Sequence, residues 1–456
     1  MSFSSPQNAA FRTGATLPFG SLIEHVTCAK HPEQSYALYL PSNYSPSHPW
    51  PIVYSFDPAA RGKLPVELQK DAAEHYGYIL AASNNSKNGP WKPEAEAAEA
   101  MMEDTQARFA IDQRRVYFAG FSGGSRLASQ LATLCKCAAG VLLNGAGFPS
   151  GKDPAKDISF AVFSAVGTLD FNYREVVPLQ AKLATAGYPH WLRTFDGPHE
   201  WAPAPTMDEA LAWFRVQAIR AKLVPPDNPF LRDEFAKSEA RATSYAKSQA
   251  PLSAYREYTQ IVATYDGLLD ISTVRAKADA LKNEKSLRDA AKQESREFEE
   301  QDQLTATISS SLSAAPTVGA NDIATSTSAE ERVRQLRERA EQEKRPQHAI
   351  VLRRALAGVF IEAMELGNDA LEHKNLPLAI RAYSAATHAN PQSEWAWQSL
   401  AVALASSAAR KETFNALSHA RELTKDKSHF AEWLQHEPAF DRFRGSTEIQ
   451  VLQKSD

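Results

Sequence analysis

Cysteine is scarce: Cys28, Cys135 and Cys137 are the three in 456 residues. So sparse and odd a set excludes a disulfide-dense scaffold, and it lacks the paired spacing of a zinc site. The three read as structural or incidental thiols, behaving as small hydrophobes rather than metal ligands. Long hydrophobic runs are missing too. Nothing is long enough to span a bilayer, and residues 1–13 carry no apolar leader core. The expected location is therefore the cytoplasm, or the periplasm or exterior if a signal peptide has been removed. Excess charge of one sign is also absent: 50 basic against 54 acidic residues leave a net charge of −4, too neutral for an evident nucleic-acid or membrane-surface binder. The 5 methionines form no ligand cluster, and Met101 and Met102 fall on the apolar stripe of a helix expected over 94–110. What is present, 43% hydrophobic residues, suffices for the cores of two or three domains.

The chain is organised around one stretch. A short apolar run, Val116-Tyr117-Phe118-Ala119, enters Gly120-Phe121-Ser122-Gly123-Gly124 and then the helical pattern Ser125-Arg126-Leu127-Ala128-Ser129-Gln130-Leu131. This reads as strand, sharp turn and helix, with Ser122 in a strained conformation. The flanking glycines are needed because a Cβ would strike the adjoining strand or helix. The helix beginning after Ser122 aims free N–H groups and its positive end at the same point, which suits a developing oxyanion.

Upstream, Leu22-Ile23-Glu24-His25-Val26 and Tyr36-Ala37-Leu38-Tyr39-Leu40 are strands joined by a polar turn. Pro51-Ile52-Val53-Tyr54-Ser55-Phe56 suits a buried parallel strand. Its exit is Asp57-Pro58-Ala59-Ala60-Arg61-Gly62. Tyr78-Ile79-Leu80-Ala81-Ala82 follows, then a loop to Trp91 long enough to overhang a site at the same sheet edge. Trp91 either lines a pocket or pins that loop. Downstream, strands are expected at 139–145, 158–166 and 190–195, with a helix over 176–186. Strand and helix alternate, so the sheet is mostly parallel and the fold class is α/β.

Parallel α/β sheets carry functional groups on loops at the carboxyl ends of their strands, and Ser122, Asp170 and His199 all fall on such loops. A serine hydroxyl needs a base that titrates near neutrality, and His199 answers that need. An acid behind the histidine fixes its tautomer and stabilises the imidazolium. Asp170 is the preferred candidate by chain order, with Asp196, Asp153 and Asp157 as competitors.

With these residues in place, 20–220 resembles the α/β-hydrolase superfamily, especially the dienelactone-hydrolase, feruloyl-esterase and polyhydroxybutyrate-depolymerase-like esterases. Tyr39-Leu40-Pro41 with Tyr44, Asn88-Gly89-Pro90-Trp91, the Ser122 elbow, Gly167-Thr168-Leu169-Asp170 and Gly197-Pro198-His199-Glu200-Trp201 carry the resemblance. It implies ester hydrolysis through an acyl-enzyme, with neither metal nor organic cofactor. In that superfamily the loop after the third strand usually holds a His-Gly pair and gives the second oxyanion donor. Here Asp57-Pro58 stands instead, and Pro58 has no N–H. The expected donors are the N–H of Gly123 and that of Ala59, with Asp57 as the other choice for the second. Asp57, Trp91 and Trp201 are the expected pocket residues.

Beyond Pro226 the composition shifts to helix formers. The expected division is a hydrolase domain at 1–225, a helical region at 226–310, a Ser/Thr/Ala-rich linker at 311–328 and a second helical domain at 329–456. Leu366-Gly367, Ala379, Tyr383, Ala386 and Pro391, followed by Trp397, Leu400 and Ala401, resemble a tetratricopeptide repeat, which implies a face for a protein partner or for self-association. The alternative is a helical appendage that only packs on the hydrolase. Three functions follow: a serine carboxylesterase acting on short-chain, aryl or polymeric esters, a serine peptidase of the same superfamily, or an idle hydrolase scaffold serving protein interaction. No nucleic-acid partner and no membrane span are expected.

Overall fold

A computed structural model of the chain describes residues 17–156, 160–313 and 322–453, with side chains from residue 329 onward in the last segment. The N-terminal residues 1–13, the start of the strand expected at 158, the competitor acid Asp157 and the middle of the expected linker lie outside the described residues.

Among the described residues, eight strands form one sheet: β1 (Leu22–Thr27), β2 (Ser35–Tyr39), β3 (Trp50–Phe56), β4 (Ile79–Ser83), β5 (Ile111–Phe121), β6 (Ala138–Asn144), β7 (Ala161–Gly167) and β8 (His190–Phe195). Their spatial order is β1-β2-β4-β3-β5-β6-β7-β8. β2 is antiparallel to both of its neighbours, and every pairing from β4 through β8 is parallel. The mostly parallel sheet expected from the alternation of elements is what the chain forms.

Strand alternation sorts the core into two layers. On β3 and β5, Ile52, Tyr54, Phe56, Val116 and Phe118 face one side, while Val53, Tyr117 and Ala119 face the other. The first side is covered by α2 (Trp91–Arg108), α3 (Gly123–Cys135) and α4 (Tyr173–Ala186) through Met101, Leu127 and Leu183. The second is covered by α1 (Lys63–Tyr76) and α5 (Ala204–Arg220) through Val66, Met207 and Phe214. Because both faces are buried, the central strands read as continuous apolar runs.

The second layer does not stop at α5. Helices α6 (Asn228–Lys247), α7 (Pro251–Tyr265) and α8 (Ser272–Lys282) place Leu231, Tyr258, Ile261, Tyr265 and Val274 in the same core as Trp191 and Trp213. The compact units therefore divide at Gln293/Glu294, not at the 225/226 boundary that composition suggests. The apolar stripe through Tyr258, Ile261 and Tyr265 is core, and what it packs against is the sheet unit.

Among the described residues, the second unit is all-helical. It takes in the later part of α9 (Lys285–Ser313), then α10 (Asp322–Gln342), α11 (Pro346–Glu372), α12 (Leu376–Ala389), α13 (Glu394–Ser406), α14 (Arg410–Leu423), α15 (Lys427–His436), a 3-10 turn at Pro438–Phe443 and α16 (Thr447–Leu452). Asn375, Ser393 and Asp426 cap the starts of α12, α13 and α15 with their side chains. Helix α9 runs through residues 305–313 and α10 is already helical from Asp322, so helix enters both ends of the stretch expected to be linker.

Two of the three cysteines depart from the sequence reading. Cys135 and Cys137 are joined by a disulfide, and Cys28 is a free buried thiol. Lys136 between them takes a left-handed conformation (φ 53°), which turns the chain sharply from the end of α3 and leaves the two Cα atoms 5.1 Å apart.

Candidate active site

Ser122 joins β5 to α3 with φ 53° and ψ −120°, a sparsely populated conformation that costs about 1–3 kcal/mol and is held by its surroundings. Its N–H donates to Asn144 O on the neighbouring strand at 2.9 Å. The Ser125 hydroxyl donates to Gly120 O at 2.6 Å. Glycine is required on both sides: a Cβ on Gly120 would lie 2.1 Å from Gly124 O, and one on Gly124 would lie 2.1 Å from Phe56 O. Strand β5 and helix α3 thus meet at the closest approach the backbone allows, and the serine side chain is turned outward.

Ser122 Oγ lies 2.9 Å from His199 Nε2. On the other side of the ring, His199 Nδ1 is 2.9 Å from both carboxylate oxygens of Asp170. A carboxylate only accepts, so Nδ1 carries the proton and Nε2 is left as the acceptor for the serine hydroxyl. Asp170 is fully buried, while the His199 side chain keeps 16% exposure. The ring sits between Phe121 and Phe171, with centroids 4.6 and 4.4 Å away.

Two residues hold this pair that the sequence reading did not single out. The Asn172 N–H donates to Asp170 Oδ1 at 2.8 Å, and its side-chain amide donates to Gly145 O at 2.7 Å. Gly145 has φ +62°, and a Cβ there would lie 2.9 Å from Asp170 Oδ2 and 3.1 Å from His199 Nδ1. Gly145→Ala is therefore expected to strain the turn after β6 and push the imidazole off line, lowering kcat by roughly ten- to a hundredfold in a folded protein. Comparison of kcat with the thermal midpoint checks this, and an unchanged kcat would show that the pair is not confined from this side.

The competing acids lie elsewhere. Asp196 is exposed and accepts from Thr168 Oγ1 at 3.3 Å, and Asp153 pairs with Lys182.

The exit of β3 corrects the expected second oxyanion donor. The Ala59 N–H donates to Asp57 Oδ1 at 2.8 Å, so it is committed within its own loop. The Ala60 N–H donates to Asp57 O at 3.0 Å, and the Arg61 N–H reaches Asp57 Oδ1 at 3.3 Å. Asp57, expected at the pocket, is only 1% exposed. Its carboxylate also accepts from Arg61 Nε at 2.9 Å, Arg61 Nη2 at 2.8 Å and Trp201 Nε1 at 2.8 Å. Burial works against its charge, but the hydrogen bonds from Arg61, Trp201 and Ala59 outweigh it and hold its pKa below the usual carboxylate value. Trp201 is likewise buried and serves as the far anchor of this network rather than as a pocket wall. Trp91, 39% exposed, borders a groove of about 790 Å³ with Met102, Phe118, Leu134 and Cys135, and that groove contains no member of the Ser122–His199–Asp170 set. Gly123, the other expected donor, is the first residue of α3, where the N–H has no intrahelical acceptor.

The strand order, the antiparallel start, the elbow after β5, and an acid and a histidine after β7 and β8 decide the architecture. The chain has the α/β-hydrolase fold. No family model matches the sequence, and no curated protein matches it. Solved structures similar to it include an S-formylglutathione hydrolase from Staphylococcus aureus, 13% identical, covering 44% of this chain and 99% of that one with a TM-score of 0.36. Another is a ferulic acid esterase, 14% identical, covering 42% and 97% with a TM-score of 0.36. A third is an S-formylglutathione hydrolase from Agrobacterium tumefaciens, 17% identical, covering 40% and 88% with a TM-score of 0.33. At these values the likeness adds nothing to what strand order and elbow already state. Among the described residues, no helix is long and apolar enough to cross a membrane.

Proposed function

We propose that the chain is a serine hydrolase that cleaves carboxylic esters through an acyl-enzyme, with Ser122 as nucleophile, His199 as general base and then acid, and Asp170 as the group that orients and stabilises the imidazolium. One observation carries this: the unbroken line from Ser122 Oγ through His199 to Asp170, each step 2.9 Å. As Ser122 Oγ bonds to the carbonyl carbon, its proton passes to His199 Nε2 and the carbonyl π pair moves onto oxygen. When the tetrahedral species collapses, the alkoxide leaves with the proton from Nε2. Water then repeats the sequence on the acyl-enzyme and releases the acid.

A buried acid that contacts the histidine with both oxygens, a strained serine and a helix start at the same point are costly features to keep in an idle scaffold, and they favour the enzyme. In the same reading the helix pairs of the second unit form a tetratricopeptide-like module. Gly367 packs so closely under the Tyr383 ring that a Cβ would come within 2.5 Å of it.

The test is labelling by a fluorophosphonate together with turnover of a short-chain nitrophenyl ester. The folded protein is expected to hydrolyse the ester and to take up one label, on Ser122. A folded protein that does neither overturns the proposal.

A further inference from the structure

The serine-hydrolase reading leaves one chemical need unmet. A tetrahedral oxyanion beside Ser122 requires more than one positioned donor, and the loop that follows β3 has spent its N–H groups at Ala59, Ala60 and Arg61 on Asp57, while Pro58 has none. We propose that the side-chain amide of Asn88 is the second oxyanion donor, acting with the N–H of Gly123, an inference that rests on the proposed serine chemistry.

The loop after β4 is built to deliver that amide. The Asn88 N–H donates to Pro58 O at 2.8 Å, Lys87 forms a bridge with Ala59, and the Gly89 N–H donates to Glu94 Oε1 at 2.8 Å. The loops leaving β3 and β4 are thereby tied together on both sides of Asn88. The side chain is carried to the elbow: a Cβ on Gly123 would fall 1.9 Å from Asn88 Oδ1 and 2.9 Å from Asn88 Nδ2. This gives Gly123 a reason beyond turn geometry, since any side chain there would displace the amide.

Asn88 is solvent-exposed, and among the described residues its amide has no hydrogen-bond partner. An amide that is positioned by its backbone but uncommitted at its tip is free to turn about its last torsion. In the structure its oxygen is the amide atom nearer to Gly123. Facing a carbonyl oxygen that gains the π pair as Ser122 attacks, the amide presents Nδ2–H. No atom is transferred to or from Asn88 in this step, and the negative charge returns to the carbonyl carbon when the alkoxide departs.

Three proteins test this: the parent, Asn88→Ala and the near-isosteric Asn88→Asp, which keeps the shape but replaces the donor with an acceptor. With a short-chain nitrophenyl ester, Asn88→Ala is expected to lower kcat by about a hundredfold with KM changed less than threefold, and Asn88→Asp to lower it at least as far. Affinity for a trifluoromethyl ketone, which binds serine as an anionic hemiketal, should fall by the same factor as kcat/KM. Thermal midpoints should match the parent. A purely structural role for Asn88 would shift the midpoint or KM and leave the ratio of ketone affinity to substrate affinity unchanged. If the parent is active and both variants keep kcat within about threefold, the proposal fails and the donor is a backbone group such as the Asp57 N–H. If the parent itself is neither labelled at Ser122 nor active, the serine-hydrolase reading has failed instead.

Discussion

Ser122→Ala is expected to reduce kcat for a short-chain nitrophenyl ester by roughly four to six orders of magnitude while the protein stays folded. The methyl group fits the space, and the elbow is held by contacts that do not involve Oγ: the Ser122 N–H to Asn144 O, and the Ser125 hydroxyl to Gly120 O. The same chain of contacts predicts an ordering among the acids. Asp170→Asn puts an N–H or a carbonyl where two carboxylate oxygens face His199 Nδ1, so it disturbs the tautomer that leaves Nε2 free to accept. Its expected cost is about ten-thousandfold in kcat. Asp196→Asn touches only an exposed contact with Thr168 and is expected to stay within about threefold of the parent. Measuring the two variants side by side decides the assignment, and a larger loss for Asp196→Asn would mean that the wrong carboxylate had been chosen.

How much of this site was legible in the sequence follows from how local each signal is. Ser122, Asp170 and His199 each sit at the end of an apolar run, so placing the runs at strands places the residues at one sheet edge. The pairing register then brings them together without further information. The second oxyanion donor is less legible from the same kind of evidence. Ala59 stands at the right place in the chain, but Asp57 folds back onto its N–H, and a side chain returning on its own backbone leaves no trace in spacing. Gly145 and Asn172 escaped notice for a related reason. Each acts through a contact with a different loop, and each belongs to a residue type that turns use everywhere. Asn172, two residues beyond Asp170 with its N–H on that carboxylate, is the one that a search for such local turns would have found. Trp201 and Trp91 show the converse: large aromatics near a site in sequence look like pocket walls, yet Trp201 is a buried hydrogen-bond anchor, and Trp91, for which the sequence leaves pocket wall and loop pin open, borders a groove without Ser122, Asp170 or His199.

The compact units do not follow the composition boundary at 225/226, because composition reports secondary structure, not what the helices cover. β8 is an edge strand, and an exposed edge with free N–H and C=O groups beside apolar side chains is prone to aggregate. Here α7 covers it. Gln260 accepts the Leu192 N–H with its side-chain oxygen, and Thr264 accepts from Trp213 Nε1 at 3.1 Å. Arg193, also on β8, is 7% exposed and paired with Glu209 of α5 and with Glu257 of α7, the latter at 3.0 Å. Arg241 of α6 closes the group, donating to Glu257 at 2.9 Å and to Glu209 at 2.8 Å. Burial works against the Arg193 charge, and the carboxylates of Glu209 and Glu257 more than offset it, so its pKa is raised.

A chain ending at Pro225 is consequently expected to be insoluble, or soluble without a cooperative melt, even though it contains Ser122, Asp170 and His199. It would expose Trp191, Trp213 and the free edge of β8 together with no side chain of α6 or α7 to cover them, and each large apolar side chain left exposed forgoes about 1.5–3 kcal/mol against a domain stability of about 5–15 kcal/mol. A chain ending at Gln293 keeps α6, α7 and α8 and is expected to melt cooperatively and to hydrolyse the small ester at a rate within about threefold of the full-length protein. Solubility, thermal melts and turnover of the two truncated chains check this together. A shorter chain that proved folded and active would show that the helices beyond Pro225 only decorate the sheet unit, while an inactive but folded longer chain would show that residues after Gln293 are needed for the chemistry.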